Sequence, residues 1–156
     1  MFGIFKKKPL EIKAPVDGKV VDLDNVPDEV FANKLAGDGV AIIPISSEFK
    51  APIDGIVTKI FDTNHAYIIT SDNDIEVMVH IGLETVSLNS KGFTRVATQG
   101  DNIKAGDVVI KADLEYIKQN ATDTITPIVI SDDTSYKSIE KFLGDRKSLE
   151  NIMEVK

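Results

Sequence analysis

The sequence contains no cysteine, so neither a disulfide nor a thiolate metal site can stabilise the fold. No run approaches about 18 consecutive apolar residues and no apolar segment precedes a cleavage site, which predicts a soluble, cytoplasmic protein. Positive charge is also scarce: the formal net charge is −7, with 18 Lys and Arg against 25 Asp and Glu. Sequence-independent nucleic-acid binding is therefore disfavoured, because it needs clustered cations. A basic protein partner is easier to accommodate.

The length of 156 residues is typical of a single domain with a substantial core. Before Pro9, residues 1–8 mix bulky apolar side chains with three lysines. Such a segment either makes a weak contact with anionic membrane lipid or is a frayed, solubilising terminus. We expect a flexible tail over residues 1–10 and one folded β-sandwich domain over residues 11–156.

An internal repeat indicates the class of fold. The pattern Ala-Pro-x-Asp-Gly-x-Val begins at Ala14 and returns at Ala51, and a related turn at residues 104–107 precedes Val108. In each copy proline starts a strand, Asp-Gly supplies a turn, and a β-branched strand follows. Short strands separated by turn residues predict an all-β fold, an antiparallel sandwich or barrel with short helical turns.

Further elements are predicted from turn and capping residues. A helical turn is expected within residues 26–37, with Gly37 as its C-terminal stop, and another helix over residues 114–120. Strands are expected at residues 40–44, 82–88, 93–96 and 126–130. Over residues 138–156 the apolar spacing does not distinguish helix from strand.

Both histidines of the chain lie in one predicted β-hairpin, residues 63–82. A four-residue turn at residues 71–74 would pair Thr70 with Ile75 and place His65 opposite His80, with Cβ atoms about 4.5–5.5 Å apart. In this register the core face collects Ala66, Ile68, Ile75, Val77 and Val79. The outer face collects His65, Tyr67, Ile69, Glu76, Met78 and His80.

Two adjacent neutral imidazoles on a half-exposed face suit phosphoryl transfer. One ring has a free nitrogen that attacks at neutral pH, and the other would donate a hydrogen bond to the added oxygens. Thr63 lies two residues before His65, so its hydroxyl would orient that ring. Glycine at position 82 would let a phosphate or a partner's backbone approach His80 closely.

Two other interpretations of the histidine pair remain open. A tetrahedral zinc ion needs about four ligands, and the chain has neither cysteine nor a third histidine, although Glu76 could add a carboxylate. Alternatively, the two surface histidines face each other without any function.

Several motifs together resemble the glucose-type enzyme IIA family, the phosphocarriers of the bacterial phosphoenolpyruvate-dependent sugar phosphotransferase system. They follow one another in the family's order from about residue 11 to residue 131. These motifs are Ala14–Gly18, Val26–Phe31, Gly37–Gly39, Thr63–Ala66, Val79–Val86 and Thr126–Ile130.

This resemblance implies an antiparallel β-sandwich and a two-step relay. The small carrier HPr would donate a phosphoryl group to His80, and the IIB domain of a sugar permease would accept it. His65 would hold the phosphohistidine oxygens, with Thr63 bonded to its ring. The relay requires no cofactor and no metal, although the two histidines and a partner carboxylate would be a possible zinc site.

The resemblance also implies a docking rim around the histidines. Its members would be the apolar Val30, Phe31, Phe61, Met78 and Val86, the glycine Gly82, and the acidic Asp28 and Glu84. Glu84 stands where the family usually has aspartate, and Met78 where phenylalanine is common, which changes the fit to a partner. The alternative function is a regulatory protein that docks according to the phosphorylation state of His80.

Overall fold

The computed structural model describes residues 9–131 and 136–156. Its strands are β1 (Leu10–Lys13), β2 (Gly18–Asp22), β3 (Gly37–Pro44), β4 (Glu48–Lys50), β5 (Gly55–Ile60), β6 (Ala66–Thr70), β7 (Glu76–His80), β8 (Phe93–Arg95), β9 (Asn102–Ile103), β10 (Val108–Ala112), β11 (Thr126–Ser131), β12 (Ile139–Lys141), β13 (Gly144–Arg146) and β14 (Asn151–Val155). The α-helices are α1 (Glu29–Ala32) and α2 (Leu114–Asn120), and 3₁₀ helices span Leu23–Asn25 and Thr85–Leu88. The membrane contact predicted for residues 1–8 lies outside the described residues. Within the described part of the chain, no helix has the length and apolarity needed to cross a bilayer.

The described strands form three antiparallel sheets. Eight strands follow the order β13-β2-β3-β11-β7-β6-β5-β9, and two three-stranded sheets follow the orders β1-β14-β12 and β4-β10-β8. The two copies of the Ala-Pro-x-Asp-Gly repeat lead into β2 and β5, and the related turn leads into β10. The predicted all-β antiparallel sandwich with short helical turns is therefore confirmed.

Two apolar clusters stabilise this arrangement. The larger cluster draws side chains from all three sheets and includes the fully buried Tyr67, whose hydroxyl donates to the carbonyl of Lys50 at 2.7 Å. The smaller cluster lies over β3 and β11 and consists of Leu23, Val26, Phe31, Ala41, Leu83, Ile125 and Val129. Apolar cover on both faces explains why β11 is buried from Thr126 to Ile130.

The segment that carries Phe31 is fixed locally by a capping residue. The Asp28 carboxylate accepts from the backbone N–H groups of Val30 at 2.9 Å and Phe31 at 3.4 Å, which starts α1. The predicted stop at Gly37 is wrong, because α1 ends at Ala32. Gly37 instead begins β3 with φ of 131°, where a Cβ would collide with the backbone carbonyl of Ile130.

The other predicted elements have mixed outcomes. The helix over residues 114–120 is confirmed as α2, and the strands at 40–44, 93–96 and 126–130 correspond to β3, β8 and β11. The predicted strand over residues 82–88 is wrong. Gly82 and Glu84 have φ values of 75° and 58°, so the chain turns into a 3₁₀ helix there. The ambiguous segment 138–156 contains β12, β13 and β14.

A charged contact joins β3 to β12. The Asp38 carboxylate accepts from the Lys141 ammonium at 2.8 Å and from the backbone N–H of Gly39 at 2.8 Å, and Lys34 lies 3.7 Å away. Partial burial by itself raises the pKa of Asp38, but the hydrogen bonds from Lys141 and Gly39 and the charges of both lysines lower it overall below 3.8.

We predict that Asp38→Asn lowers the free energy of unfolding at neutral pH by up to about 1 kcal/mol, since the pair is partly exposed to solvent. A carboxyl whose pKa is lower in the folded protein loses its stabilising effect as the pH falls below 3.8 and through the folded-state pKa. Urea denaturation over a pH series should show that the free energies of unfolding of the native protein and of Asp38→Asn become equal in acid. A difference of constant size at every pH would contradict this account.

Candidate functional site

The hairpin of β6 and β7 carries the two histidines, but its register differs from the predicted one. Ala66 pairs with His80 and Thr70 pairs with Glu76, so the connecting loop spans residues 71–75, one residue more than expected. This shift reverses the predicted faces of β6. The buried side chains of Tyr67 and Ile69 now join the core, while Ala66 and Ile68 lie opposite His80 and Met78 on the outer face.

The two histidine rings nevertheless lie side by side. Their centroids are 4.9 Å apart and the ring planes are inclined by 79°. His65 precedes the first residue of β6, so the strict alternation of strand side chains does not govern it. Asn64 has a left-handed φ of 61° and redirects the chain there, and the carbonyl of His65 accepts from the backbone N–H of Ile81 at 2.7 Å. A turn next to the strand therefore brings the rings together, whereas the predicted cross-strand pairing is wrong.

The Nδ1 atom of His80 is bound within the chain. It lies 2.7 Å from the carbonyl oxygen of Gly82. A carbonyl can only accept, so Nδ1 carries the proton and Nε2 is the nitrogen with a free electron pair. Gly82 is buried, and a Cβ at this φ would lie 2.7 Å from the side chain of Thr85 and 2.8 Å from the carbonyl of Asp123. Glycine at this position thus permits the turn that aims the carbonyl at the ring, a reason different from the predicted approach of a phosphate.

The Nδ1 atom of His65 is also bound within the chain. The hydroxyl oxygen of Thr63 lies 2.5 Å from it. When that hydroxyl donates, the proton of the neutral ring is on Nε2, which is then a hydrogen-bond donor. The pair therefore combines His80, whose Nε2 is suited to nucleophilic attack, with His65, whose Nε2 is suited to hydrogen-bond donation.

Aromatic and apolar side chains surround the rings. Phe31 packs against His80 with centroids 5.0 Å apart, and Phe61 packs edge-on against His65 at 5.4 Å. Val30 on α1 is 48% exposed and Val86 on the second 3₁₀ helix is 54% exposed. Met78 is half-buried against the smaller apolar cluster.

The two acidic members of the predicted rim have contacts of their own. Asp28 caps α1 and is close enough to His80 to affect its pKa. Glu84 is exposed, and its carboxylate accepts a hydrogen bond from the hydroxyl of Thr122.

Both histidines are neutral at pH 7. Burial lowers the pKa of His65 to about 4, and the adjacent His80 ring lowers it in the same direction. Burial also lowers the pKa of His80 below 6.5, although the carbonyl of Gly82 and the carboxylate of Asp28 partly oppose this. The neutral form is the one that phosphoryl acceptance requires.

A zinc ion does not fit the chain on its own. Both Nδ1 atoms are bound internally, so the two rings would supply one Nε2 ligand each, about two short of a tetrahedral set. Among residues 9–131 and 136–156, no group of three or more His, Asp or Glu side chains could hold a metal ion. A zinc ion completed by a partner's carboxylate stays a prediction.

Sequence reasoning missed Arg95. Its Nε donates to the side-chain carbonyl of Asn64 at 2.8 Å, and its Nη2 donates to the backbone carbonyl of Phe61 at 3.3 Å. The contact joins residues 31 positions apart. No periodicity or local motif signals such a contact, because it depends on how two sheets come together.

Comparison with known proteins places this chain among components of a sugar phosphotransferase system. Residues 10–136 match the family described as phosphoenolpyruvate-dependent sugar phosphotransferase system, EIIA 1. The match covers most of the chain, and the protein belongs to this family. It is accordingly a phosphotransferase component, and the resemblance derived from its motifs is confirmed.

The similar proteins include components named as glucose-specific. The chain is 50% identical over 141 residues to the PTS system glucose-specific EIIA component of Borreliella burgdorferi, covering 90% of this chain and 75% of that protein. It is 41% identical over 155 residues to the component of the same name from Haemophilus influenzae, covering 98% and 93%. The solved structure of glucose permease IIA from Mycoplasma capricolum matches with a TM-score of 0.89 at 34% identity, covering 97% of this chain and 99% of that one.

The low histidine pKa predicts a pH dependence of stability. In the unfolded chain a histidine protonates near 6.5, whereas folded His65 stays neutral down to about 4. The unfolded state therefore binds more protons between these values, and the free energy of unfolding falls as the pH falls, by at most about 1.4 kcal/mol per pH unit for one group. We expect that the free energy of unfolding, measured by urea denaturation, depends less steeply on pH in His65→Asn than in the native protein. An unchanged slope, or an NMR titration of His65 near 6.5, would contradict the prediction.

Proposed function

We propose that the protein is a phosphocarrier that accepts a phosphoryl group from HPr on His80 and passes it to the IIB domain of a sugar permease. The observation that carries this proposal is the pair of neutral imidazoles 4.9 Å apart, each with Nδ1 held by an oxygen of its own chain. Membership of the EIIA family supports the relay and the choice of partners.

In the first transfer the electron pair on Nε2 of His80 attacks the phosphorus of the donor's phosphohistidine. The bond from phosphorus to the donor's ring nitrogen breaks, and the donor ring keeps that electron pair. The proton stays on Nδ1, which donates to the carbonyl of Gly82, and this hydrogen bond stabilises the positive charge that develops on the ring. In the second transfer a nucleophile of the IIB domain attacks the phosphorus, the bond from phosphorus to Nε2 of His80 breaks, and Nε2 recovers its electron pair. One phosphorus–nitrogen bond replaces another in the first step, so positioning and charge stabilisation suffice.

His65 assists by hydrogen bonding. With Thr63 donating to Nδ1, the Nε2–H group of His65 is available to a phosphoryl oxygen on the neighbouring ring. Burial of His65, which is 5% exposed, keeps the donor in a site where water competes little.

The partners would dock on the rim around the pair. Val30 and Val86 are exposed and would offer apolar contact, while Phe31 and Phe61 pack directly against the histidine rings. The carboxylates of Asp28 and Glu84, and the net charge of −7, favour a partner with a basic patch. A modest interface of this kind releases its partner quickly, as a carrier requires.

Cytoplasmic location and phosphorylation-dependent regulatory docking stay predictions made from the sequence.

We predict that labelled phosphate passes from phosphoenolpyruvate, through enzyme I and HPr, to the native protein and not to His80→Ala. His65→Ala should accept label but pass it to a IIB domain about a hundredfold more slowly, because the hydrogen bond to the transferring group is lost. The label should be acid-labile, as expected for phosphohistidine. Circular dichroism and thermal unfolding check that both variants remain folded.

Two outcomes would contradict the assignment. Label on the His80→Ala protein would move the nucleophile elsewhere. An unlabelled native protein in an active donor mixture would remove the carrier function altogether.

The docking rim gives a separate prediction. Val86→Asp should raise the KM for phosphorylated HPr about tenfold or more with little change in kcat, since a charge would have to be desolvated on docking. Ile45→Asp is a matched control, because Ile45 is 77% exposed and lies outside the predicted rim. Equal effects of the two variants would argue against a docking surface at Val86.

A further inference from the structure

We propose that Arg95 is a positioning residue that holds His65 and Thr63 in place for phosphoryl transfer. The kinetic part of this inference rests on the proposed function, because it assumes that His65 donates to the phosphoryl group. The geometric part does not depend on that assumption.

Arg95 links two sheets at the turn that carries His65. It is the last residue of β8, in the three-stranded sheet β4-β10-β8, whereas the turn connects β5 to β6 in the eight-stranded sheet. Its guanidinium donates from Nε to the Asn64 side chain at 2.8 Å and from Nη2 to the backbone carbonyl of Phe61 at 3.3 Å. Both ends of the turn are therefore attached to one planar group.

The turn has an unusual backbone conformation and contacts besides those of Arg95, including a long one of 3.5 Å from the Asn64 side-chain amide to the Ser90 hydroxyl. Asn64 has a φ of 61°, a conformation that asparagine tolerates better than most residues. Its backbone N–H donates to the carbonyl of Phe61 at 2.7 Å, the same oxygen that accepts from Arg95. Thr63 and His65 flank Asn64 directly, so a shift of this residue would move the hydroxyl and the ring together.

The chemistry of the contact calls for arginine. A guanidinium presents several N–H groups in a rigid fork, which matches two acceptors at fixed positions. A lysine ammonium is a single flexible point charge and would retain the charge without the geometry. Because Arg95 is exposed, its contacts contribute little to global stability. A small displacement of a catalytic group, by contrast, slows transfer strongly.

The test compares Arg95→Ala and Arg95→Lys with Arg146→Ala. Arg146, the last residue of β13, is a matched control, because its guanidinium also donates to backbone carbonyls, those of Asp145 at 2.8 Å and Asn151 at 3.3 Å. We expect both Arg95 variants to slow transfer from the phosphorylated protein to a IIB domain about ten- to a hundredfold in kcat, with KM nearly unchanged. Arg146→Ala should transfer at the native rate, and all three should unfold at similar temperatures.

A spectroscopic readout on the unphosphorylated protein tests the geometry alone. The ring nitrogen shifts of His65 should report one tautomer in the native protein and in Arg146→Ala, and a mixture in both Arg95 variants. Asn64→Gly keeps the left-handed backbone but removes the side-chain carbonyl that accepts from Nε of Arg95. Because Asn64→Gly and Arg95→Ala remove the same hydrogen bond, the double variant should transfer no more slowly than Arg95→Ala alone.

Three results would overturn the inference. Full activity of Arg95→Lys would show that the geometry of the guanidinium is not needed, and a change confined to KM would show that Arg95 contacts a partner. An unchanged His65 tautomer in Arg95→Ala would show that the turn holds without it. Failure of the native protein to accept label would instead refute the proposed function, and the tautomer measurement would still decide whether Arg95 positions His65.

Discussion

The hydrogen bond between Nδ1 of His80 and the carbonyl of Gly82 determines what the site can do. It assigns the proton to one ring nitrogen and the reactive electron pair to the other. The bond exists only because the chain turns sharply at Gly82, where the left-handed backbone and the contact with Thr85 exclude a larger residue. The 3₁₀ helix that follows this turn carries Val86, so one backbone feature sets both the tautomer and part of the surrounding surface.

The smaller apolar cluster supports the same site from the outer side of the large sheet. It anchors Phe31 beside His80, and it fixes α1 over β3 and β11. A four-residue helix is too short to be stable alone, so its position depends on this burial and on the Asp28 cap. The wall of the site is therefore formed before any partner arrives.

The sequence predicted the site more reliably than it predicted the contacts that create it. The repeats, turn residues and the motifs around both histidines led to the correct fold class and the correct pair of rings. The hairpin register was wrong by one residue, since the polar run at residues 71–74 does not show that Ile75 belongs to the loop. The rings meet because Asn64 adopts a left-handed conformation, which residue spacing alone does not reveal. The contact of Arg95 with that turn is between sheets, and a single sequence carries no signal for it.

Burial of the histidine pair changes how the charge of the two rings responds to pH. An ordinary surface imidazole changes its charge when the pH drifts by about one unit around neutrality. Here burial lowers the pKa of both rings, so each becomes charged at a lower pH than an exposed imidazole does. For the proposed carrier, the reactive neutral form would therefore persist further into acid than an exposed histidine allows, and the supply of phosphorylated donor would matter more than proton concentration.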